Sequence, residues 1–348
     1  MKKIILGLIV MTAFLAAALG VSAETPGSMD IRDRLAKPEL NIIDTGTIIF
    51  MDSENNIIQN PDINSKVKIK FEWSLLNEDA IQIQDGDTYT FQLPDSFRIP
   101  NNMNISLGDY GTATINTNRT VVITFSDQVA LHSNVNGYIE FEARLNADGL
   151  GDPGPQEILL PINGEANFTF TLVPTTRDTS IDKDGDFDRY LNPASIEWKV
   201  TINKAYETLT NVVITDTMPS GLTLEAIEVY PVNLNQDGTF KNYGDQLEAG
   251  EYQTNGANVT LGTISQPYEI RYLTTINDNI KPDDGGDISF RNQVQMTSTE
   301  NGTMPAEATL IASYGKLLTK NSPAYSNLDQ TFTWTVDYNY GEKTLVNP

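Results

Sequence analysis

The 348-residue chain contains no cysteine, which excludes disulfide bonds, thiolate metal ligands and cysteine nucleophiles. It has a single histidine, His132, in the phrase LHSNVNG, which disfavours a serine–histidine–aspartate hydrolase. Basic residues are also few, because 23 Lys and Arg stand against 46 Asp and Glu, for a formal net charge of −23. Such acidity disfavours nucleic acids and anionic membranes as partners.

A long apolar run occurs only at the start, in MKKIILGLIVMTAFLAAALGVSAETP. Two lysines precede it and small residues end it, a pattern that predicts a secretory signal peptide over residues 1–23, cleaved before Glu24. A transmembrane anchor is the alternative, and the short apolar stretch with its cleavage site disfavours it. Removing the peptide takes away two lysines and no acid, so the mature chain carries 21 − 46 = −25. We expect an exported protein.

Helical periodicity is also missing from the mature chain, whereas strand-like alternation is common. The phrases IKFEWSL, ASIEWKVTI and TFTWTVDY contain Trp73, Trp198 and Trp334, and in each the apolar residues occupy every second position. Polar turns such as NQDGT and KPDDGGD separate many such runs. The pattern predicts an all-β protein of antiparallel sandwiches, each with its tryptophan on an inner face.

The spacing of the tryptophan phrases predicts the domains. Their separations are 198 − 73 = 125 and 334 − 198 = 136 residues, each the size of one large sandwich. We therefore expect tandem related domains at 24–173 and 174–314, meeting near the phrase LVPTTRDTS. Residues 315–348 are too few to bury a core, so we expect them to be the truncated start of a further repeat.

Three polar residues break the alternation of the second unit, since Lys183, Asp216 and Asn292 each share a face with apolar neighbours. In one interpretation Lys183 lies in a solvated acidic turn, Asp216 opens a turn and Asn292 is an ordinary core amide. In the other, the three are buried together and satisfy one another. Burial would then neutralise the amine and the acid, and Lys183 could attack the Asn292 carbonyl to form an isopeptide bond promoted by Asp216. The residues alone leave both interpretations open.

The acidic run DKDGDFD at 182–188 invites a calcium interpretation. It lacks the sixth-position glycine and the distal glutamate of an EF-hand loop, so a solvated turn is the better prediction. We expect no metal, no cofactor and no turnover enzyme, because no carboxylate pair stands out for glycoside hydrolysis and an isopeptide bond forms once per molecule.

Residues 174–314 resemble the collagen-binding-type domain of Gram-positive surface adhesins, in the phrases DKDGD, WKVTIN, ITDTMPSGL, YEIRYLTTI and FRNQ. Residues 38–173 resemble the preceding domain of the same adhesins, in INSKVKIKFEWSL, GDTYTFQLPDSFRIP and LPING. The resemblance implies tandem immunoglobulin-like sandwiches displayed on a cell wall, anchored by a signal beyond residue 348, and a virulence role. It also implies the isopeptide roles for Lys183, Asp216 and Asn292, with Lys320 as the crosslink lysine of the next repeat.

The ligand implied by the resemblance is a host matrix protein such as collagen. The positions that correspond to the aromatic collagen trench are Asp182, Lys199, Thr201 and Arg271, which are charged or small. We therefore expect weaker collagen binding than in relatives with that trench. The alternative is a structural stalk that binds no ligand, and we expect a monomer in either case.

Overall fold

A computed structural model describes residues 27–164 and 166–342, so the predicted signal peptide lies outside the described residues. Within them the chain is mostly β-structure, with one-turn α-helices at Ile31–Arg34 and Asn77–Ala80. The predicted all-β class is confirmed. Among the residues described, no helix is both long and apolar enough to cross a membrane.

The first sandwich encloses a hydrophobic core that runs from Ile31 to Leu172. Its sheets have the orders β2-β1-β3-β9-β5 and β4-β8-β7-β6, and β10 pairs with β11 beside them. Trp73 on β3 is 1% exposed, as its alternation predicts. The strands are β1 (Ile43–Met51), β2 (Ile57–Ile58), β3 (Lys66–Ser74), β4 (Thr88–Gln92), β5 (Phe97–Arg98), β6 (Met103–Ser106), β7 (Gly111–Ile115), β8 (Thr120–Phe125), β9 (Asn136–Leu145), β10 (Gly154–Leu160) and β11 (Ala166–Leu172).

The second sandwich has its own core, from Ile181 to Tyr314. Its two sheets have the orders β12-β13-β19-β15-β16 and β17-β18-β14-β20-β21, and all the pairings are antiparallel. Trp198 on β13 is fully buried, which confirms its predicted inner position. The strands are β12 (Asp182–Phe187), β13 (Ser195–Ile202), β14 (Leu209–Thr217), β15 (Leu222–Leu234), β16 (Phe240–Tyr243), β17 (Gln253–Asn255), β18 (Asn258–Ile264), β19 (Tyr268–Ile276), β20 (Gly286–Ser298) and β21 (Gly302–Tyr314).

The β15–β16 hairpin contacts both the first sandwich and the segment that joins the two sandwiches. In that joining segment, the Thr175 N–H donates to the Gln236 carbonyl at 2.9 Å. The Gln236 side chain donates hydrogen bonds to the carbonyl oxygens of Ala147 (3.2 Å) and Gly151 (3.1 Å). Lys241 forms an exposed ion pair with Asp152 at 2.6 Å. A small apolar cluster lies beside these contacts and consists of Val173, Tyr206, Val232 and Leu234.

Residues 318–338 form two short strand pairs: β22 pairs with β25, and the hairpin of β23 and β24 lies between them in the chain. The predicted continuous strand TFTWTVDY is wrong, because it is interrupted at Trp334 and Thr335. Trp334 is 53% exposed, and no opposing sheet within the described residues covers the alternate apolar face. The strands are β22 (Leu318–Lys320), β23 (Ala324–Ser326), β24 (Thr331–Thr333) and β25 (Val336–Tyr338).

Candidate functional site

The acidic run that contains Lys183 forms strand β12, so the solvated turn predicted from its charges is wrong. β12 pairs with β13, where Lys183 lies opposite Val200 and Gly185 opposite Trp198. Strand alternation turns Lys183 inward while the neighbouring acids face out, and the lysine side chain has no exposed surface. Its Nζ lies 5.5 Å from the ring centres of both Trp198 and Tyr272. An amine is thus held among aromatic rings inside the core.

Asp216 is the acid that meets this amine. It follows Val212 and Ile214 along the buried face of β14, and its side chain has no exposed surface. Its Oδ2 lies 2.5 Å from Lys183 Nζ. Its Oδ1 has no hydrogen-bond partner among the described residues. The predicted proximity of the acid and the amine is therefore present in the structure.

Asn292 completes the cluster from β20, where it lies between the buried Phe290 and Val294. The residue is fully buried, and within 27–164 and 166–342 neither amide atom makes a hydrogen bond of ordinary geometry. Asp216 lies opposite Val294 in the β14–β20 register, so Asn292 is its diagonal neighbour on the same face. A buried polar atom left without a partner costs about 1–3 kcal/mol. Asn292 is therefore not the satisfied core amide of the first interpretation.

Burial dominates the protonation of the Lys183–Asp216 pair. Desolvation lowers the pKa of Lys183 and raises the pKa of Asp216, against the attraction between the two charges. The neighbouring Asn292 amide favours the charged form of the Asp216 carboxyl, which is a smaller influence on its pKa than burial. The neutral forms are an amine that can act as a nucleophile and an acid that can donate a proton. The site can thus support acyl transfer between two side chains.

Tyr272 also faces the cluster. Burial, and then the Asp216 charge, raise the pKa of its phenol well above the ordinary value. Its hydroxyl has no hydrogen-bond partner within the described part of the chain. Tyr272 lies opposite Trp198 in the β13–β19 register, so the two rings form adjacent walls around the lysine amine.

Lys199, Thr201 and Arg271 lie on the outer face of the same sheet, away from this cluster. Lys199 lies opposite Arg271, and Thr201 lies opposite Glu269, in the β13–β19 register. Lys199 also forms an ion pair with Asp186 on β12 at 2.8 Å. The three residues predicted to contact a ligand therefore share one mixed-charge surface.

Aromatic side chains beside Arg271 were missed by the sequence analysis. The Arg271 guanidinium carbon lies 4.5 Å from the ring centres of both Tyr230 and Tyr243, and its Nε donates to Glu269 at 2.7 Å. Phe240, which is 52% exposed, packs against Tyr243 with ring centres 4.8 Å apart and ring planes tilted by 54°. These rings come from β15 and β16. The turn phrase NQDGT, which lies between Tyr230 and Phe240 in the chain, was the signal that could have predicted this hairpin.

Lys320 repeats the backbone position of Lys183. It lies opposite Val336, the second residue after Trp334, just as Lys183 lies opposite the second residue after Trp198. Its Nζ lies 4.2 Å from the Trp334 ring centre. Lys320 is exposed, however, since no opposing sheet covers it in the described residues.

Two of the three outward acids of β12 form ion pairs with lysines. Lys204 contacts Asp182, and Lys199 contacts Asp186. Among the described residues, no group of three or more histidine, aspartate or glutamate side chains could hold a metal ion.

Two domain families match the chain. Residues 178–307 match the collagen binding domain, and residues 60–151 match a bacterial Ig domain. The predicted resemblance to surface adhesins of the collagen-binding type is confirmed at the level of these domains, as is the immunoglobulin-like fold class. A search among curated proteins found no match.

Three bacterial proteins are among the solved structures that match the chain. The Enterococcus faecalis MSCRAMM ACE is 18% identical (TM-score 0.28; 79% of this chain and 96% of that chain covered). The collagen-binding domain of a Staphylococcus aureus adhesin is also 18% identical (TM-score 0.28; 40% and 99% covered). The serine-rich repeat protein Srr2 of Streptococcus agalactiae is 13% identical (TM-score 0.31; 81% and 95% covered). At such low identity and TM-score, these neighbours support no inference about function.

Proposed function

We propose that the protein is a bacterial surface adhesin that binds a host extracellular matrix protein, with collagen as the leading candidate. The observation that carries this proposal is the match of residues 178–307 to the collagen binding domain. The signal-peptide pattern at 1–23 supports export. Anchoring to the cell wall is part of the same proposal.

We propose that the ligand contacts the outer face of the sheet that contains Lys199, Thr201 and Arg271. The Arg271 guanidinium packs against the rings of both Tyr230 and Tyr243, which also contact each other with centres 5.9 Å apart, so this side chain is held in place before any ligand arrives. Aromatic and arginine side chains contribute most of the binding energy in many interfaces. The mature charge of −25 favours faster association of a basic or mixed-charge partner at low salt.

Both sandwiches take part in the proposed binding. The contacts of Gln236 and Lys241 with the first sandwich support a ligand site that depends on the two domains together. A collagen triple helix is rigid and preorganised, so little ordering entropy would oppose its capture.

The second sandwich is proposed to mature by forming an isopeptide bond. Lys183 Nζ attacks the side-chain carbonyl carbon of Asn292 while Asp216 hydrogen-bonds to the carbonyl oxygen and stabilises the charge that develops there. A carbon–nitrogen bond forms and the bond to Nδ2 breaks. Asp216 transfers the proton lost by the amine to the departing group, which leaves as ammonia. This reaction expels Nδ2, one of the two unpartnered amide atoms of Asn292, and leaves the carbonyl in a secondary amide that links the two side chains. Lys320 is proposed to play the same role in the next repeat.

Surface plasmon resonance against immobilised collagens, fibrinogen, fibronectin and elastin tests the binding proposal. We expect residues 24–348 to bind a collagen, and residues 174–314 alone to bind it more weakly. Equal binding by residues 174–314 would reject the two-domain mode. Binding to none of these matrix proteins would reject the adhesin and favour the structural stalk.

A further inference from the structure

The loop between β12 and β13 contacts the point where the chain leaves the second sandwich. In this loop Asn192 is 4% exposed and has a left-handed backbone, with φ of +52°. Its N–H donates to the Ser313 carbonyl at 2.8 Å, and Leu191 forms a parallel bridge with Ser313. Residues 188–194 are thereby attached to the last strand of the sandwich, β21.

The Asn192 side chain extends this attachment to the strand pairs that follow the sandwich. Its Oδ1 accepts a hydrogen bond from the Gly315 N–H at 2.8 Å, and its Nδ2 donates to the Tyr340 carbonyl at 2.8 Å. Gly315 lies between β21 and β22, and Tyr340 follows β25. One buried side-chain amide therefore bonds to two further segments of the chain, at Gly315 and at Tyr340. This use requires both a donor and an acceptor, which aspartate cannot supply when ionised.

Close packing surrounds these hydrogen bonds. A Cβ added to Gly315 would lie 2.4 Å from the Tyr340 carbonyl oxygen, and one added to Gly285 would lie 2.8 Å from the Gly315 backbone. The Tyr314 hydroxyl donates to the Pro193 carbonyl at 3.0 Å in a buried position. Only glycine fits where the three backbones approach so closely.

We propose that Asn192 is the hydrogen-bonding centre of a rigid joint between the second sandwich and the unit that starts at Leu318. Sequential domains usually move relative to one another unless their interface is substantial. Here buried hydrogen bonds and backbone contacts replace a free linker. The joint fixes the direction in which β22–β25 continue from the sandwich. It goes beyond the proposed adhesion and does not depend on the identity of the ligand.

Distance measurements by pulsed electron paramagnetic resonance test the joint in residues 24–348. Because the chain has no cysteine, spin labels can be placed by Thr254→Cys on the exposed strand β17 and Thr333→Cys on the exposed strand β24. We expect a narrow distance distribution in this parent protein. Asn192→Gly keeps the left-handed backbone and removes the side chain, so we expect a distribution at least twofold wider. Asn192→Asp retains only the hydrogen-bond acceptor, so the width of its distance distribution should lie between those of the parent protein and Asn192→Gly.

Asn203→Gly is the matched control. Asn203 is 3% exposed with φ of +56°, and its side chain bonds to Glu207 and Gln266 within the sandwich. This variant should lower the thermal stability of the sandwich without widening the distribution. Should Asn192→Gly fail to fold, Gly315→Ala provides an independent disruption, and it should also widen the distribution. A parent distribution as wide as that of the folded disrupted variant would overturn the proposal.

Discussion

Asn292 lies diagonally across from Asp216 on the buried face of β14 and β20, two residues along from the register partner of the acid, Val294. This relationship places an unpartnered amide beside a carboxyl that already contacts Lys183 at 2.5 Å. The three groups come from β12, β14 and β20, which belong to two opposing sheets. A bond between Lys183 and Asn292 would therefore join the two layers of the sandwich.

The first prediction concerns the mass of residues 174–314. We expect the purified domain to be lighter than its sequence by one ammonia, measured by intact-protein mass spectrometry. Asp216→Ala should retain the full mass, because it removes the proton donor. The control is Asp186→Ala, an exposed acid that should leave the ammonia loss unchanged. A wild-type mass equal to that of the sequence would disprove the crosslink.

The crosslink should also stabilise the domain against unfolding. It would close a loop of 292 − 183 = 109 residues. By the chain-entropy relation for disulfides, such a loop contributes about 4–5 kcal/mol. Asn292→Ala removes the crosslink and leaves the Lys183–Asp216 pair intact, so we expect a loss of this order in guanidinium chloride unfolding. An unchanged midpoint would contradict the expectation.

Trp198 should contribute far more than Trp334 to the free energy of unfolding. Trp198 is fully buried and Trp334 is 53% exposed. We expect Trp198→Ala to cost about 3–5 kcal/mol of unfolding free energy, as for other large core deletions. Trp334→Ala should cost about 0.5 kcal/mol or less, as for most surface substitutions. Equal costs in denaturant titrations would show that the exposed tryptophan is misplaced.

Arg271 should be a principal ligand contact. We expect Arg271→Ala to weaken matrix-protein binding by about 10-fold, the effect of losing about 1.4 kcal/mol at an interface hot spot. Arg291→Ala is the matched control, since Arg291 is on the other sheet and forms an exposed ion pair with Glu307. Surface plasmon resonance should show no loss for that control. Equal effects of the two variants would place the ligand elsewhere.

Stability should fall at alkaline pH through Tyr314. Burial, helped by the charges of Asp188 and Asp278, raises the pKa of Tyr314 to about 12 from an ordinary value of 10.0. Because the pKa of Tyr314 is higher in the folded state than in the unfolded state, the neutral phenol contributes fully to the stability of the folded protein below about pH 10. This contribution disappears as the pH rises from about 10 to about 12. It amounts to about 2–3 kcal/mol.

Comparison with Tyr314→Phe isolates this contribution. The stability advantage of the wild type over Tyr314→Phe should shrink between pH 9 and pH 12 in chemical denaturation, by about 2–3 kcal/mol. Tyr190→Phe is the control, because Tyr190 is 93% exposed. A constant advantage of the wild type across this range would contradict the prediction.

Alternation along single strands was enough to predict much of this molecule. Trp73 and Trp198 are buried, as predicted from their parity, that is, from their sharing every second strand position with apolar residues. Neighbouring strand residues point to opposite faces of a sheet, and this holds for any arrangement of the strands. The same parity singled out Lys183, Asp216 and Asn292 as polar residues on apolar faces, with joint burial as one of two interpretations. The pattern failed for 182–187, where four charges concealed a strand whose inward positions are Lys183, Gly185 and Phe187.

Only the tertiary structure decided which of these residues meet. Lys183 on one sheet contacts Asp216 on the opposing sheet. Gly185 leaves room for the Trp198 ring beside this pair, since a Cβ on Gly185 would lie 2.8 Å from the indole. The rings around Arg271 come from a hairpin that lies 28 to 41 residues away along the chain, by 271 − 243 and 271 − 230. Parity is a local property of the backbone, whereas these contacts depend on strand order and on the packing of one sheet against the other. The sequence alone therefore determined the inner faces of the regular strands, such as those of Trp73 and Trp198, and the fold decided whether Lys183, Asp216 and Asn292 are buried together and which partners they meet.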